Sequence, residues 1–332
     1  MEDLKEFKTA MEQKIIEANN VVIVPHKGPD FDAIGSALGI SLIVKKLKKP
    51  FCIIVDDPIY KIDHGVQIIM DEVKKDYAII NREKYLNIKN NQDLYILTDV
   101  NKSYLVSLSD EMTNEDKTII IDHHDEDNAT VKSSLKYINS TISSASEIIT
   151  RLLCLCKIKP SPDIANYLLA GIYLDTNKFT KNMTANTMKA MAKLVESGSD
   201  VNKVTEYFEE DFISERRVQE LASKAEITTY SIATVLAEEG IEYTREELAK
   251  VADYLLKYKV DAAFAIGNIG DNTVSISARS KEKINVGEVM QQLEGGGNPY
   301  SGATKLSDCT VEEAGKRLSK VITPTFYRKY NK

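Results

Sequence analysis

The chain has 332 residues, 43% hydrophobic and 28% charged, and its 43 Lys and Arg against 50 Asp and Glu give a formal net charge of −7. That length suggests about two domains. The composition excludes a disordered chain, a collagen and a membrane span, which needs ~18 consecutive apolar residues. The negative balance argues against a grip on long nucleic acid, which normally takes a basic face; the short basic runs at 45–49 and 327–329 read as solvated helix ends or tail.

Residues 1–17 form an acidic and basic amphipathic stretch without signal character. The four cysteines, Cys52, Cys154, Cys156 and Cys309, are scattered without zinc spacing, as reduced buried thiols are. The expectation is a cytoplasmic protein that does not engage a membrane. Apolar runs at 21–25, 51–55, 94–98 and 118–121 are each bounded by polar residues and read as strands buried on both faces. Helical patterns at 33–47 and 144–156 lie among them. Strands alternating with helices predict an α/β fold, a mainly parallel sheet flanked by helices.

His26 follows the first run, Asp56 and Asp57 the second, Asp99 the third, and Asp122-His123-His124 the fourth. Ligands of open α/β sheets bind beyond the carboxyl ends of the strands, so four strands deliver acid or imidazole to one rim. Asp56-Asp57-Pro58 reads as a turn. His64 lies outside every motif and reads as structural. A first domain is expected over 1–200, a charged helical linker over 201–225, and a second, smaller α/β domain over 226–332. The latter shows strand patterns at 231–235, 262–266 and 273–278 and helical ones at 244–258 and 286–293. Gly295-Gly296-Gly297 reads there as a flexible loop.

The densest motif is His26-Lys27-Gly28-Pro29-Asp30-Phe31-Asp32, followed by the small residues Gly35 and Ser36. A helix cap explains one aspartate but not the trio. Imidazole with carboxylates suits Mn²⁺, Fe²⁺ or Zn²⁺. Adjacent histidines at a strand end point in different directions, so one of His123 and His124 can ligate metal while the other faces substrate. Asp175 ends a further apolar stretch and can reach the same rim. Asp30, Asp32, Asp99 and Asp175 together balance two divalent cations. Such pairs sit ~3.5–4 Å apart and clamp the attacking and leaving oxygens of a phosphoryl displacement.

The ordered series His-x-x-x-Asp-x-Asp, a lone Asp, Asp-His-His and a later Asp resembles the DHH phosphoesterases over nearly the whole chain. Ser277-Ala278-Arg279-Ser280 and Gly295-Gly296-Gly297-Asn298 resemble the DHH-associated substrate-binding domain. Within the family, residues 26–35, 174–180, 276–280 and 284–286 are similar to the bacterial cyclic-di-AMP phosphodiesterases. Their membrane-bound members add domains that this chain lacks, so the resemblance implies a free-standing soluble form and a homodimer. It implies two Mn²⁺ ions, one on His26, Asp30 and Asp99, the other on Asp32, Asp99, His123 and Asp175, with Asp99 bridging. Asp122 would orient a ligand and His124 would face the phosphate. Attack of a metal-bound hydroxide on phosphorus would open cyclic-di-AMP to pApA, with onward hydrolysis to AMP left open. Arg279, Ser280, Gly295, Gly296, Gly297 and Asn298 would bind the nucleotide.

Two alternatives stand beside this one. An oligoribonuclease or pAp phosphatase, acting on pApA, pAp or short RNA, shares the metal motifs. A nucleotide-binding regulator with weak turnover is suggested by Asn298, where the family carries His. Asn cannot carry the proton's charge, so slower turnover or weaker binding is expected of this chain.

Overall fold

Helix α1 (Glu2–Glu17) places Leu4, Phe7, Met11 and Ile15 at three- and four-residue intervals, and all four are buried. The computed structural model describes residues 2–56, 62, 64–209, 212–228, 231–281 and 284–330. After α1 come β1 (Asn20–Pro25), α2 (Phe31–Lys46), β2 (Phe51–Ile54), α3 (His64–Val73), β3 (Ile79–Ile80) and α4 (Arg82–Leu86). Strands β4 (Asp93–Thr98), β5 (Thr118–Asp122) and β6 (Leu135–Ile138) follow. Four helices close this unit: α5 (Ala145–Leu155), α6 (Pro162–Asp175), α7 (Ala185–Glu196) and α8 (Val201–Glu206).

The six strands form one parallel sheet in the order β3-β2-β1-β4-β5-β6. Alternate residues of each central strand go to opposite faces, as the two-residue period requires. Val21, Ile23, Ile96, Ile119 and Ile121 join α1, α2, α5 and α6 in one core. Val22, Val24, Leu97 and Ile120 join Tyr85, Val106 and Leu108 in the other. The chain leaves β1 toward β2 on one side and returns as β4 on the other, so β1 and β4 flank the topological switch point, where such sheets bind ligands.

The second unit begins at residue 210. It comprises α9 (Phe212–Ala222), β7 (Glu226–Ile227), β8 (Ile232–Leu236), α10 (Arg245–Leu256), β9 (Ala262–Asn268), β10 (Thr273–Ser280), α11 (Val286–Gln291), β11 (Gly296–Gly297), β12 (Ser301–Ser307) and α12 (Val311–Tyr330). Its mixed sheet runs β11-β12-β10-β9-β8-β7, with only β8 and β9 parallel. Phe264 and Ile266 pack on the side of α11 and α12, and Ala263 and Ala265 on the side of α9 and α10. Among the described residues no helix is long and apolar enough to cross a membrane.

Several expectations need revision. Residues 201–225 are largely helical but do not form a free linker. Val204 and Tyr207 belong to the first core, and Val218, Leu221 and Ala222 to the second. Gly295-Gly296-Gly297 is no flexible loop, because Gly296 and Gly297 pair with Ala303 and Gly302. A Cβ on Gly295 would lie 2.3 Å from the Ala303 carbonyl oxygen, so close strand packing requires glycine there. Cys52 and Cys156 are buried, but Cys154 is exposed and Cys309 half-buried. Asp56 Oδ1 accepts the Arg82 N–H at 2.9 Å, a contact between segments far apart in the chain. Asp57 and Pro58 lie outside the described residues, as does the side chain of His64.

Candidate metal centre

The rim collects its groups from five strand or helix ends. His26 follows β1, Asp30 and Asp32 begin α2, Asp99 follows β4, Asp122 ends β5 ahead of His123 and His124, and Asp175 ends α6. Asp30 is the N-cap of α2, its Oδ1 accepting the N–H groups of Asp32 and Ala33 at 2.9 and 3.0 Å. The cap and the motif are therefore the same residue: Oδ1 also lies 3.6 Å from His26 Nε2. His26 Nδ1 is 2.9 Å from the Lys27 carbonyl, which can only accept. The neutral ring thus carries its proton on Nδ1 and turns the Nε2 lone pair toward the carboxylates.

Asp99 sits between the histidines. Its Oδ2 is 3.6 Å from His26 Nε2, and its Oδ1 is 3.4 Å from His123 Nε2. Its backbone adopts φ 58°, a left-handed conformation that aspartate tolerates better than most residues but that still carries strain. His123 Nε2 also lies 3.1 Å from Asp175 Oδ2 and 3.9 Å from Asp32 Oδ2. Three overlapping groups have donor atoms mutually within 4.8 Å: His26, Asp30 and Asp99; Asp32, His123 and Asp175; and Asp99, His123 and His124.

Two elements lock the second group. Asp32 is fully buried, and its two oxygens accept the N–H groups of Ala145 and Ser146, at 2.7 and 2.8 Å, from the first turn of α5. Helices α2 and α6 also meet closely here. A Cβ on Gly171 would lie 2.6 Å from Asp32 Oδ1, and one on Gly35 2.5 Å from the Tyr167 carbonyl oxygen. Glycine at these points lets the start of α2 and the end of α6 bring Asp32 and Asp175 to one place.

The electrostatics ask for cations. Burial, then Asp99 and Asp175, push the Asp32 carboxyl well above its ordinary range, and burial pushes Asp99 up to about 6. Desolvation opposes charge on the imidazoles, but the carboxylates outweigh it and raise His26 to about 9 and His123 to about 11. Asp99 Oδ1 and Asp175 Oδ2 are buried without a hydrogen-bond partner. Unsatisfied buried carboxylate oxygens among imidazole nitrogens fit divalent ions, which take such mixed donor sets.

Asp122 Oδ1 accepts the backbone N–H groups of His123 and His124, at 2.7 and 3.2 Å, and lies 2.9 Å from His124 Nδ1. It fixes the turn and the ring of His124, whose side chain is 57% exposed. Sequence reading missed three supports. Besides the α5 amides, Asn101 donates to the His124 carbonyl at 3.1 Å and holds that loop. Buried Glu147 accepts from the hydroxyls of Ser143 and Thr187 at 2.7 and 2.8 Å, joining the starts of α5 and α7. The Ser144-x-x-Glu147 capping pattern was the available signal for α5.

Arg279, Ser280, Gly295, Gly296, Gly297 and Asn298 all belong to the second unit. Arg279 Nε donates to Asp253 at 2.9 Å. Ser280 is buried, and its hydroxyl donates to the Asp261 carbonyl at 3.2 Å. Asn298 Oδ1 accepts the N–H groups of Tyr300 and Ser301 at 2.9 and 2.8 Å, so the amide oxygen builds the turn into β12.

An α/β sheet with a carboxylate and imidazole cluster at its switch point, joined to a second mixed-sheet unit, defines the class. The profile of the DHH family, N-terminal domain, matches residues 20–172, and that of the DHHA1 domain matches 228–326. The chain belongs to the DHH family. It is 34% identical over 325 residues to the protein named cyclic-di-AMP phosphodiesterase GdpP of Geobacillus thermodenitrificans, covering 96% of this chain and 49% of that one. It is 33% identical over 328 residues to the protein of the same name from Bacillus subtilis, with the same shares covered. The chain therefore spans about half the length of these curated relatives. The crystal structure of an exopolyphosphatase-related protein from Bacteroides fragilis shares the fold, with a TM-score of 0.76 at 21% identity over 95% of each chain.

Proposed function

We propose that the chain is a manganese-dependent phosphodiesterase that hydrolyses cyclic-di-AMP to pApA. The observation that carries this reading is the convergence of seven carboxylate and imidazole groups on the switch-point rim, with Asp99 Oδ1 and Asp175 Oδ2 buried and unsatisfied. The names of the GdpP relatives direct the choice of substrate. His26, Asp30 and Asp99 would hold one ion, and Asp32, Asp99, His123 and Asp175 the other. Asp99 would be the shared ligand, because its two oxygens face different histidines. Bound divalent ions supply Lewis-acid charge and activate water near neutral pH.

The protein's own groups do the positioning. The Lys27 carbonyl fixes the His26 tautomer, and the α5 amides fix Asp32. Asp122 raises the pKa of His124 by hydrogen bonding and leaves Nε2 as the ring nitrogen not engaged by it. His124 would donate from Nε2 to a phosphoryl oxygen of the substrate, stabilising charge as it develops. In the second unit, nucleotide contacts fall to Arg279 and the glycine strand, not to Ser280.

The test is incubation with Mn²⁺ and, separately, cyclic-di-AMP, cyclic-di-GMP, pApA and pAp, with products resolved by chromatography. The Asp30→Ala/Asp32→Ala double variant is the blank. Conversion of cyclic-di-AMP to pApA is expected. Consumption of pApA with cyclic-di-AMP untouched would replace this reading with the oligoribonuclease one, and binding without product would point to a regulator.

A further inference from the structure

Helices α5 and α7 of the first unit leave between them a groove that the metal chemistry does not use. Two cavities of about 270 and 220 Å³ open along it and share Thr150, Cys154 and Lys193, so they run on as one slot. Its floor is apolar, with Leu4, Leu155 and Ala190 in the larger cavity and Leu153, Ile158 and Leu194 in the smaller. Arg151, Lys159, Lys189 and Lys193 stand along it against one carboxylate, Glu196, in a chain whose net charge is −7. Lys189 and Lys193 lie one turn apart on the same face of α7. Among the described residues Lys159 and Lys189 form no ion pair. Lys193 meets Glu196 at 2.6 Å, but both side chains are more than half exposed, so that pair holds the ammonium weakly. The slot is also preformed. Glu147 accepts from Thr187 at 2.8 Å and ties α5 to α7, and the Thr150 hydroxyl of the shared wall is spent on the Ser146 carbonyl at 2.7 Å.

We propose that this groove binds an unbranched fatty carboxylate, its alkyl chain along the floor and its head group drawn to Lys189 and Lys193. The lining follows α7 from Asn186 to Ser197, about 16 Å at 1.5 Å per residue. A slot that long and of that volume suits a slender chain. Ligand sites of this kind are mostly apolar, with a few polar groups that fix orientation. A neutral chain would leave the lysines without a counter-charge, and a small, highly charged anion would leave the apolar floor without a partner. Binding to a groove already held open by Glu147 costs little ordering. A protein partner fits less well, because the residues lining both cavities are fewer than the ~20–30 a side of a stable protein interface. The groove is built within the first unit and does not rest on the phosphodiesterase reading.

The test uses the full chain and follows alkylation of Cys154 by iodoacetamide, read by peptide mass spectrometry. Cys154 is exposed and lines both cavities, whereas Cys52 and Cys156 are buried. Decanoate, below micelle formation, should slow the alkylation and raise the melting temperature, as a ligand of the native state does. Octanoate should be needed at about ten-fold higher concentration, the fold-change for two fewer buried methylenes. The double variant Lys189→Ala/Lys193→Ala should weaken decanoate binding about ten-fold, the loss of one charge-assisted contact, and Lys189→Arg/Lys193→Arg should bind like the parent. Absence of protection, equal protection by decan-1-ol, equal potency of octanoate, an unchanged alanine double variant or a lowered melting temperature would overturn the proposal. Protection by raised chain concentration with decanoate inert would also overturn it, giving the groove to a second copy. Failure of cyclic-di-AMP hydrolysis would overturn the phosphodiesterase reading and leave this one standing.

Discussion

Replacing Gly171 by alanine tests whether helix contact sets the metal site. The added Cβ would lie 2.4 Å from Ser146 Oγ, 2.6 Å from Asp32 Oδ1 and 2.8 Å from Asp32 Cα. The serine hydroxyl can rotate away. The aspartate cannot, because Cα is backbone and both carboxylate oxygens are held by α5 amides. The overlap with Oδ1 is about 0.8 Å short of the 3.4 Å at which ordinary contact begins. Overpacking of this kind costs ~1–3 kcal/mol, against a gain of ~0.8–1 kcal/mol from replacing glycine inside a helix. Overpacking wins, and at ~2–4 °C per kcal/mol the first unit should melt up to ~8 °C lower. The larger effect falls on metal. A shift of that size exceeds the ~0.2 Å tolerance of metal–ligand distances, so Mn²⁺ affinity by calorimetric titration should fall at least ~10-fold, the lower end for disturbed ligand support. Gly39→Ala is the control, since its Cβ would meet Ile149 and Leu168 rather than a carboxylate. It should lower the melting temperature without changing Mn²⁺ affinity. Unchanged metal binding in Gly171→Ala would refute the reasoning.

Three further outcomes are expected. Glu147→Ala removes the acceptor for the buried hydroxyls of Ser143 and Thr187, and at ~1–3 kcal/mol for each unsatisfied group it should destabilise the first unit by about 3 kcal/mol in urea denaturation; a loss below ~1 kcal/mol would show that the network relaxes. Mn²⁺ loading should release protons, because His26 and His123, raised to about 9 and about 11 in the metal-free chain, are protonated at neutral pH and must be neutral to ligate. Affinity should therefore rise with pH through 9, and titrations in buffers of different ionisation enthalpy should give different apparent heats; identical heats would contradict the assignment. Asn298→His forfeits an oxygen that accepts two backbone N–H groups, so the second unit should lose ~1 kcal/mol while kcat/KM on cyclic-di-AMP rises; unchanged kcat and KM would show that the substitution has no catalytic consequence.

Much of the rim was legible in the sequence because its signal is local. A buried parallel strand is a short apolar run with polar ends, and the residue after it falls at the carboxyl edge by construction. His26, Asp99 and Asp122 each follow or end such a run. Strands with weaker patterns carry no such signal. Ile79–Ile80 is two residues long, and Leu135–Ile138 is half-exposed with Lys136 on its open side. Ser301–Ser307 contains Gly302, Thr304 and Lys305 and has no apolar run to mark it, although it pairs with β10 along its whole length.

What sequence could not reveal was support that crosses long separations. Asp32 is held by amides more than a hundred residues later in the chain, and backbone N–H groups leave no trace in residue identity. The same limit governs the glycines. Gly295-Gly296-Gly297 suggests freedom when read alone, yet two of the three positions leave no room for a Cβ. Glycine marks either a mobile backbone or a crowded one, and only the neighbours decide. At Gly35 and Gly171 the crowding is what matters. Both residues were readable as small, but only the contact of α2 with α6 makes them part of the metal centre, since it lets two aspartates from opposite helix ends approach the same histidine.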